Sequence, residues 1–350
     1  MRRDLARLGL SFPDGDSRLS SLDRHDESTG CAARQTMRRV DAFLDRLQFL
    51  CELSEQGDIR ELQRAAERGR LVRVHRGAYY PFEGWNKLTQ TERYTFRVLA
   101  AVGTNRVNPT ISHVSAAVLH GAPIIGPMPT LVHMLATTAA GTRTEHGYRK
   151  HATEYPAEAT ELRGELRMTT LSRTLAEVAA DSPFLTAVGI LDWAFANHRI
   201  GPADVSQMLD RLQIRRGRRR AERAVAFADP RSGSPGESLS RVRIWEAGLP
   251  APELQVPFRD GAGRIGVVDF WWPEHDLIGE FDGVSKYIRE ELTGGRDPAE
   301  VVIAEKARED RLRALGPAVA RWGWSVAWAP YALQAQLRDR GLPSSQRRIG

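Results

Sequence analysis

The sequence predicts a multidomain α/β protein, and three observations predict it. With 350 residues the chain is long for one domain, and its 41% hydrophobic content is enough for packed cores and excludes a largely disordered chain. An arginine-rich run at 211–223, followed by the turn-forming RSGSPG, divides the chain near residue 233. Beyond that division the apolar spacing switches between helix and strand periods in the order α-β-β-β-α-β, a layered arrangement on one mostly buried sheet.

Composition bounds the chemistry. No run of about 18 apolar residues occurs, so no membrane-spanning helix is expected. The opening MRRDLARLGLSFPDGDS lacks an apolar signal segment and a small-residue cleavage site, which points to the cytoplasm. Cys31 and Cys51 are the only cysteines, and the nine histidines show no pair at metal-ligand spacing on an obvious turn. A catalytic metal would then be held by carboxylates, which favours a hard ion: Mg²⁺, with Mn²⁺ able to substitute. The net charge of +6, carried mostly by arginine, suits a polyanionic partner such as DNA, although arginine enrichment also follows from codon usage.

Residues 1–36, rich in Ser, Asp and Arg without a sustained apolar period, predict a disordered tail. Residues 37–90 predict a winged helix-turn-helix. VDAFLDRLQFL places Val40, Phe43, Leu47 and Leu50 on one helical face; Asp58 caps IRELQRAAERG, which Gly69 stops; LVRVHRGAYYP supplies two short strands as a wing. Arg60, Gln63, Arg64 and Arg68 are then candidates for a DNA groove, with Arg73 and Arg76 on backbone phosphates. The same residues also read as the solvated face of an amphipathic helix.

Residues 91–210 predict a mixed helical, α/β middle domain. SHVSAAVLHGAPI reads as a helix stopped by Gly121 and Pro123, PTLVHMLAT as a buried strand, and TLSRTLAEVAA and FLTAVGILDWAFAN as amphipathic helices. His113, His120 and His133 are expected to be core or surface histidines, since no carboxylate or cysteine accompanies them at ligand spacing. In their order, GRLVRVHRGAYYP, SHVSAAVLHG, PTLVHM and MTTLSRTLAEVA resemble the AbiEi-type antitoxin family over about residues 40–200. The resemblance implies a DNA-binding winged helix that can act as a transcriptional repressor, with a cognate toxin as partner. Self-association is a further expectation.

The run RLQIRRGRRRAER holds seven arginines in thirteen positions and predicts a basic linker helix within 211–233, either simply solvated or touching phosphates. From 234 to 332 a compact domain is expected, followed by a tail at 333–350. Ser234 caps a helix with Pro235 at its first position and Glu237 three residues after the cap. PELQVPF, RIGVVDFWWP and DLIGEFDG read as strands, AEVVIAEKAREDRLRALG as a helix, and AVARWGWSVAW as a last strand.

Side chains alternate along a strand, so Ile265, Val267 and Asp269 share one face, as do Ile278, Glu280 and Asp282. Hairpin pairing would bring these carboxylates together at the sheet rim, where a divalent cation offsets the cost of burying them. Glu237, Asp269 and Glu280, in this element order, resemble the PD-(D/E)XK nuclease superfamily. DF-x-WP followed by E-x-DG resembles its branch near the very-short-patch repair endonucleases, over about 95 residues of this restriction-endonuclease-like part. The resemblance implies a metal held by Asp269 and Glu280, with the Phe281 carbonyl and Asp282 beside them and Glu237 contributing from its helix. The family's lysine position holds Asp282 here, so Lys286, or else Lys306 from the long helix, is the candidate cation. Lys306 is expected to point away, because Val301, Ala304, Leu312 and Leu315 face the sheet. Other readings remain open: Glu237 as half of a capping box, Asp282 with Gly283 as a turn, and Glu305, Glu309 and Arg313 as the ordinary i,i+4 pairs of a solvated helix. The expected function is a DNA-binding, Mg²⁺-dependent endonuclease. The alternative is a non-catalytic, antitoxin-like regulator on a degenerate nuclease fold.

Overall fold

The computed structural model describes residues 48–49, 59–105, 108–155, 157–164, 166–283 and 298–343. The expected tail at 1–36, most of the expected 40–50 helix, and Lys286 lie outside the described residues. The chain is mixed α/β and divides into two compact units, Met1–Leu191 with Asn197–Phe227, and Asp192–Ala196 with Ala228–Gly350. No helix among the described residues is long and apolar enough to cross a membrane.

In the first unit, β1 (Gln48–Phe49) pairs antiparallel with β3 (Ala78–Pro81), which pairs with β2 (Leu71–His75) in the order β1-β3-β2. The helical expectation for 40–50 therefore does not hold to its end. Gln48 and Phe49 take partners at Tyr79 and Ala78, and sheet pairing overrides the local helical period. The Ile59–Glu67 helix precedes β2 and closes through Gly69, with the Arg70 N–H donating to the Ala65 carbonyl at 2.9 Å. The Gln90–Gly103 helix follows, opened by a capping box between Thr89 and Glu92. It contributes Phe96 and Ala100 to a core with Val74, Ala78, Tyr80 and Leu88.

Farther along, the His113–Leu119 helix and β4 (Val132–Thr137) lie where the sequence suggests. Four strands in this region carry no clear apolar run: β5 (Arg143–Glu145), β6 (Tyr148–Thr153), β7 (Thr160–Arg163) and β8 (Leu166–Thr169). β4 and β6 are parallel, β5 is antiparallel to β6, and β7 and β8 form a two-stranded pair. Ile111, Val132, Met134, Tyr148 and Met168 close this core with Tyr94 and Val98. The Leu171–Asp181, Phe184–Asn197, Pro202–Arg211 and Arg218–Phe227 helices follow. The arginine run is thus not one helix. It breaks after Arg211 and restarts at Arg218, with Gly217 at φ +80° between, and Arg220 donates to the Ala180 carbonyl at 2.6 Å.

The second unit begins with the Pro235–Glu246 helix, where Ser234 Oγ accepts the Glu237 N–H at 3.2 Å as the cap requires. Then come β9 (Glu253–Asp260), β10 (Gly263–Trp272), β11 (Leu277–Phe281), the Pro298–Ala314 helix and β12 (Ala318–Trp322). The sheet order is β12-β11-β10-β9; the first three strands in sequence are antiparallel, and β12 lies parallel to β11 after the helical crossover. Leu312 of the crossover helix packs with Ile278 and Val319. On the other side Phe270, Trp272 and Trp322 stack, and the Trp322 indole N–H donates to Ser240 Oγ at 2.8 Å. Gly236 lets the Pro235–Glu246 helix approach β11: a Cβ there would fall 1.9 Å from the Phe281 ring.

Two expectations change here. The last strand stops at Trp322, and Trp324–Trp328 and Pro330–Arg338 are helices, so the stretch read as a tail from 333 is partly helical. Gly323 ends the pleat, and Pro330 suits a first helical turn where no N–H is needed. The stripe of the crossover helix is also narrower than expected. Leu312 is buried, whereas Ala304 and Leu315 are exposed.

Candidate active site

Antiparallel register sets the centre of the site. Phe270 pairs with Gly279, so Asp269 and Glu280 lie one position beyond that pair on facing strands. Asp269 Oδ2 accepts the Phe281 backbone N–H at 2.8 Å, and its Oδ1 accepts the Gln255 side-chain amide at 3.2 Å. The same amide donates to Glu237 Oε2 at 2.9 Å, which also accepts the Gly233 N–H at 2.9 Å. The Glu237 side chain therefore reaches back to the Gly233 N–H ahead of the cap and across to Gln255 on the sheet. Burial, and next the negative charge of Glu237, push the Asp269 carboxyl up to about 6, with Glu280 adding to the rise; the Phe281 N–H and Gln255 oppose it.

Gln255 is one of the residues that sequence reasoning missed, with Arg308 and Arg321. It sits in β9 with φ +53°, a left-handed backbone uncommon for a side chain other than glycine. A polar residue in a half-buried strand is the only sequence signal it gives.

Glu280 is 7% exposed and held by two cations. Arg308 donates to its Oε1 at 2.6 Å, and Arg321, its cross-strand partner in β12, lies 2.7 Å from Oε2. Arg308 also donates to the Val267 carbonyl at 2.9 Å and passes Gly266, where a Cβ would meet its Nε at 2.7 Å. Among the described residues, the cations beside the acids are Arg308 of the crossover helix, two residues beyond Lys306, and Arg321 of β12, while Lys306 itself is exposed. The solvated-helix pair is present as well, with Arg313 2.5 Å from Glu309. Asp282 is exposed, its backbone N–H bonded to the Trp322 carbonyl at 2.8 Å. Asp269, Glu280 and Asp282 do not bring ligand atoms mutually within 4.8 Å among the described residues.

The donor set nonetheless suits a hard divalent ion. Asp269 and Glu237 are oxygen donors linked through one amide, and burial, followed by the charge of Glu237, raises the Asp269 carboxyl. Glu280 is the poorer donor, because both of its oxygens already face guanidinium groups.

In the first unit, Gln63, Arg64, Arg68, Arg73 and Arg76 are exposed, and Arg60 lies in the same helix as Gln63 and Arg64. The histidines divide by role. His120 is structural, its ring nitrogens bonded to the Thr169 carbonyl at 2.9 Å and Arg163 at 2.9 Å. His113 and His133 instead gather with His151, and carboxylates distant in the sequence lie beside them in the fold. His113, His151 and Asp181 present ligand atoms within 4.8 Å of one another. Burial lowers the His133 and His151 imidazoles to about 4 and holds His113 well below the usual imidazole value, which favours neutral rings.

No family model matches the chain. It is 32% identical over 143 residues to uncharacterized proteins from two strains of Mycobacterium tuberculosis, a stretch that covers 41% of this chain and 49% of each relative. The chain therefore spans about half the length of the curated relatives it matches.

Proposed function

We propose that this chain is a DNA-binding, Mg²⁺-dependent endonuclease, with a PD-(D/E)XK-like domain over 234–332 and a winged helix-turn-helix over 37–90. The observation that carries the reading is the Asp269 carboxyl, pushed up to about 6 by burial first and then by the negative charge of Glu237, with Glu280 adding to the rise. A buried carboxyl whose pKa is raised by burial and a specific charged neighbour marks a functional site more often than a structural one. Glu237 and Asp269 are the residues that would hold the ion, and Gln255 orients both carboxylates. A bound Mg²⁺ supplies a polarised phosphoryl oxygen and a more acidic water. Arg308 and Arg321 place positive charge beside the acids, where a phosphodiester gains negative charge as it is attacked. The exposed Arg64, Arg68, Arg73 and Arg76 suit backbone phosphates of a docked duplex.

One observation favours a second reading. Both oxygens of Glu280 are already paired with arginines, as in a domain that keeps the fold and has lost the reaction. That reading makes the chain an antitoxin-like regulator. Incubating the full chain with supercoiled plasmid separates the two: nicked or linear product with Mg²⁺, abolished by EDTA, supports the nuclease, and intact plasmid with both Mg²⁺ and Mn²⁺ supports the regulator.

A further inference from the structure

In the first unit, far along the sequence from the nuclease acids, a second group of side chains has the chemistry of a metal site. His113 opens its helix with φ +53°, a strained backbone for a residue with a Cβ. Its N–H donates to Glu177 Oε2 at 3.1 Å, and its Nδ1 lies 3.0 Å from Ser112 Oγ and 3.3 Å from the same Glu177 oxygen. Glu177 is fixed in turn by Arg173 at 2.7 Å, and Arg173 donates to the Tyr155 carbonyl at 2.7 Å. A histidine whose Nδ1 faces a carboxylate keeps the Nε2 lone pair available, the arrangement that orients metal-ligating imidazoles. His151 in β6 has its Nε2 engaged by His133 Nδ1 at 3.0 Å, which leaves Nδ1 uncommitted. The His113 and His151 rings lie 3.5 Å apart between centroids. Asp181 ends the Leu171–Asp181 helix, one turn past Glu177, and offers a carboxylate only loosely engaged by Arg149 at 3.7 Å.

We propose that His113, His151 and Asp181 bind a zinc-class divalent ion, leaving an open coordination position toward a cavity that accepts an anionic group. Two imidazoles and one carboxylate match borderline ions such as Zn²⁺ rather than Mg²⁺, and three protein ligands leave a fourth position open. All three ligands line a cavity of about 470 Å³. Five arginines line it too, among them Arg149, Arg215 and Arg216, against three acids, of which Asp181 is a ligand and Glu177 is paired with Arg173. The excess of guanidinium groups favours phosphate or carboxylate in the open position. This inference does not depend on the nuclease reading.

The test uses the untagged full chain, stripped with EDTA and titrated with Zn²⁺ by calorimetry and with Co²⁺ by visible absorption. One equivalent of Zn²⁺ is expected to bind, and Co²⁺ to give the intense bands of a four-coordinate site. His151→Gln and Asp181→Asn should each weaken binding by about 100-fold or more, and Glu177→Gln, acting through His113, by about 10-fold. A Glu237→Gln/Asp269→Asn double variant should bind this equivalent as wild type does. Asp181 is partly exposed, so its variant should keep the wild-type circular dichroism and lose only the Zn²⁺-induced rise in Tm. Inorganic phosphate added to the Co²⁺ form should shift its spectrum. Absence of a Zn²⁺ equivalent, binding unchanged in both His151→Gln and Asp181→Asn, or binding lost only in the double variant would overturn the site. An unshifted spectrum would overturn the anion position.

Discussion

Arg308 uses one guanidinium nitrogen to tie Glu280 to the β10 backbone, donating to Glu280 Oε1 at 2.6 Å and to the Val267 carbonyl at 2.9 Å. Glu280 is nearly buried, so removing Arg308 leaves its carboxylate, among the described residues, with the Arg321 guanidinium. Arg308→Ala is expected to cost about 1–3 kcal/mol in urea denaturation, because a buried acceptor loses a charged donor. It should also slow cleavage at least about 10-fold, since the charge beside the acids is removed. Arg308→Lys should recover less than half of the stability, because a single ammonium lacks the planar fork.

The Asp269 carboxyl gives a prediction with a definite sign. Its folded value is about 6, above the ordinary aspartate range near 3.9, so between these values the folded chain holds a proton that the unfolded chain has released. Stability from this group therefore falls as pH rises from about 4 to about 6, then levels. Asp269→Asn should flatten that interval in metal-free melts. At pH 7.5 it should stabilise the fold by up to about 3 kcal/mol, as a shift of about two units allows. A variant less stable than wild type at pH 7.5 would contradict the burial account.

Lysine variants test where the working cation lies. Lys306 is exposed while Arg308 reaches the acids, so Lys306→Ala should leave cleavage within about 3-fold of wild type and Arg308→Ala should not. Lys286→Ala is expected to slow cleavage by about 100-fold, corresponding to roughly 2.7 kcal/mol of transition-state stabilisation. Metal binding by calorimetry should survive the Lys286 change, because lysine is not a ligand.

Docking is read from salt dependence. Arg64, Arg68, Arg73 and Arg76 are exposed in the first unit, and each phosphate that a side chain no longer neutralises should reduce the slope of log affinity against log salt by about 0.9. The Arg73→Ala/Arg76→Ala double variant of the full chain should therefore lower the slope by about 2 in gel-shift titrations. An unchanged slope would assign this face to a protein partner instead.

Local rules made the second unit legible. Ser234, Pro235 and Glu237 announce the helix start, and period-two runs announce β9, β10 and β11. Asp269 and Glu280 stand out because acids inside apolar strands need a reason. What stayed hidden depends on tertiary geometry. Gln255 looks like any polar strand residue until φ +53° and its two carboxylate partners are seen. Arg308 falls on the same helical face as Leu312, but only the crossover places it on Glu280. His113, His151 and Asp181 are 38 and 30 residues apart in sequence, and the His113–Leu119 helix, β6 and the Leu171–Asp181 helix each bring one of them to the group. The first-unit strands β5 to β8 carry too many polar residues to show a clean alternation.

The central claim is that Asp269 is a working acid of a metal-dependent nuclease, and the most direct test is the initial rate of supercoiled plasmid cleavage by wild type and Asp269→Asn, purified in parallel, with Mg²⁺ at pH 7.5. Wild type should cut with Mg²⁺ and stop cutting when EDTA is added. Asp269→Asn should lose at least about 1000-fold, or roughly 4 kcal/mol, while retaining wild-type circular dichroism. Equal rates in the two proteins, or no cleavage by wild type with either Mg²⁺ or Mn²⁺, would contradict the account.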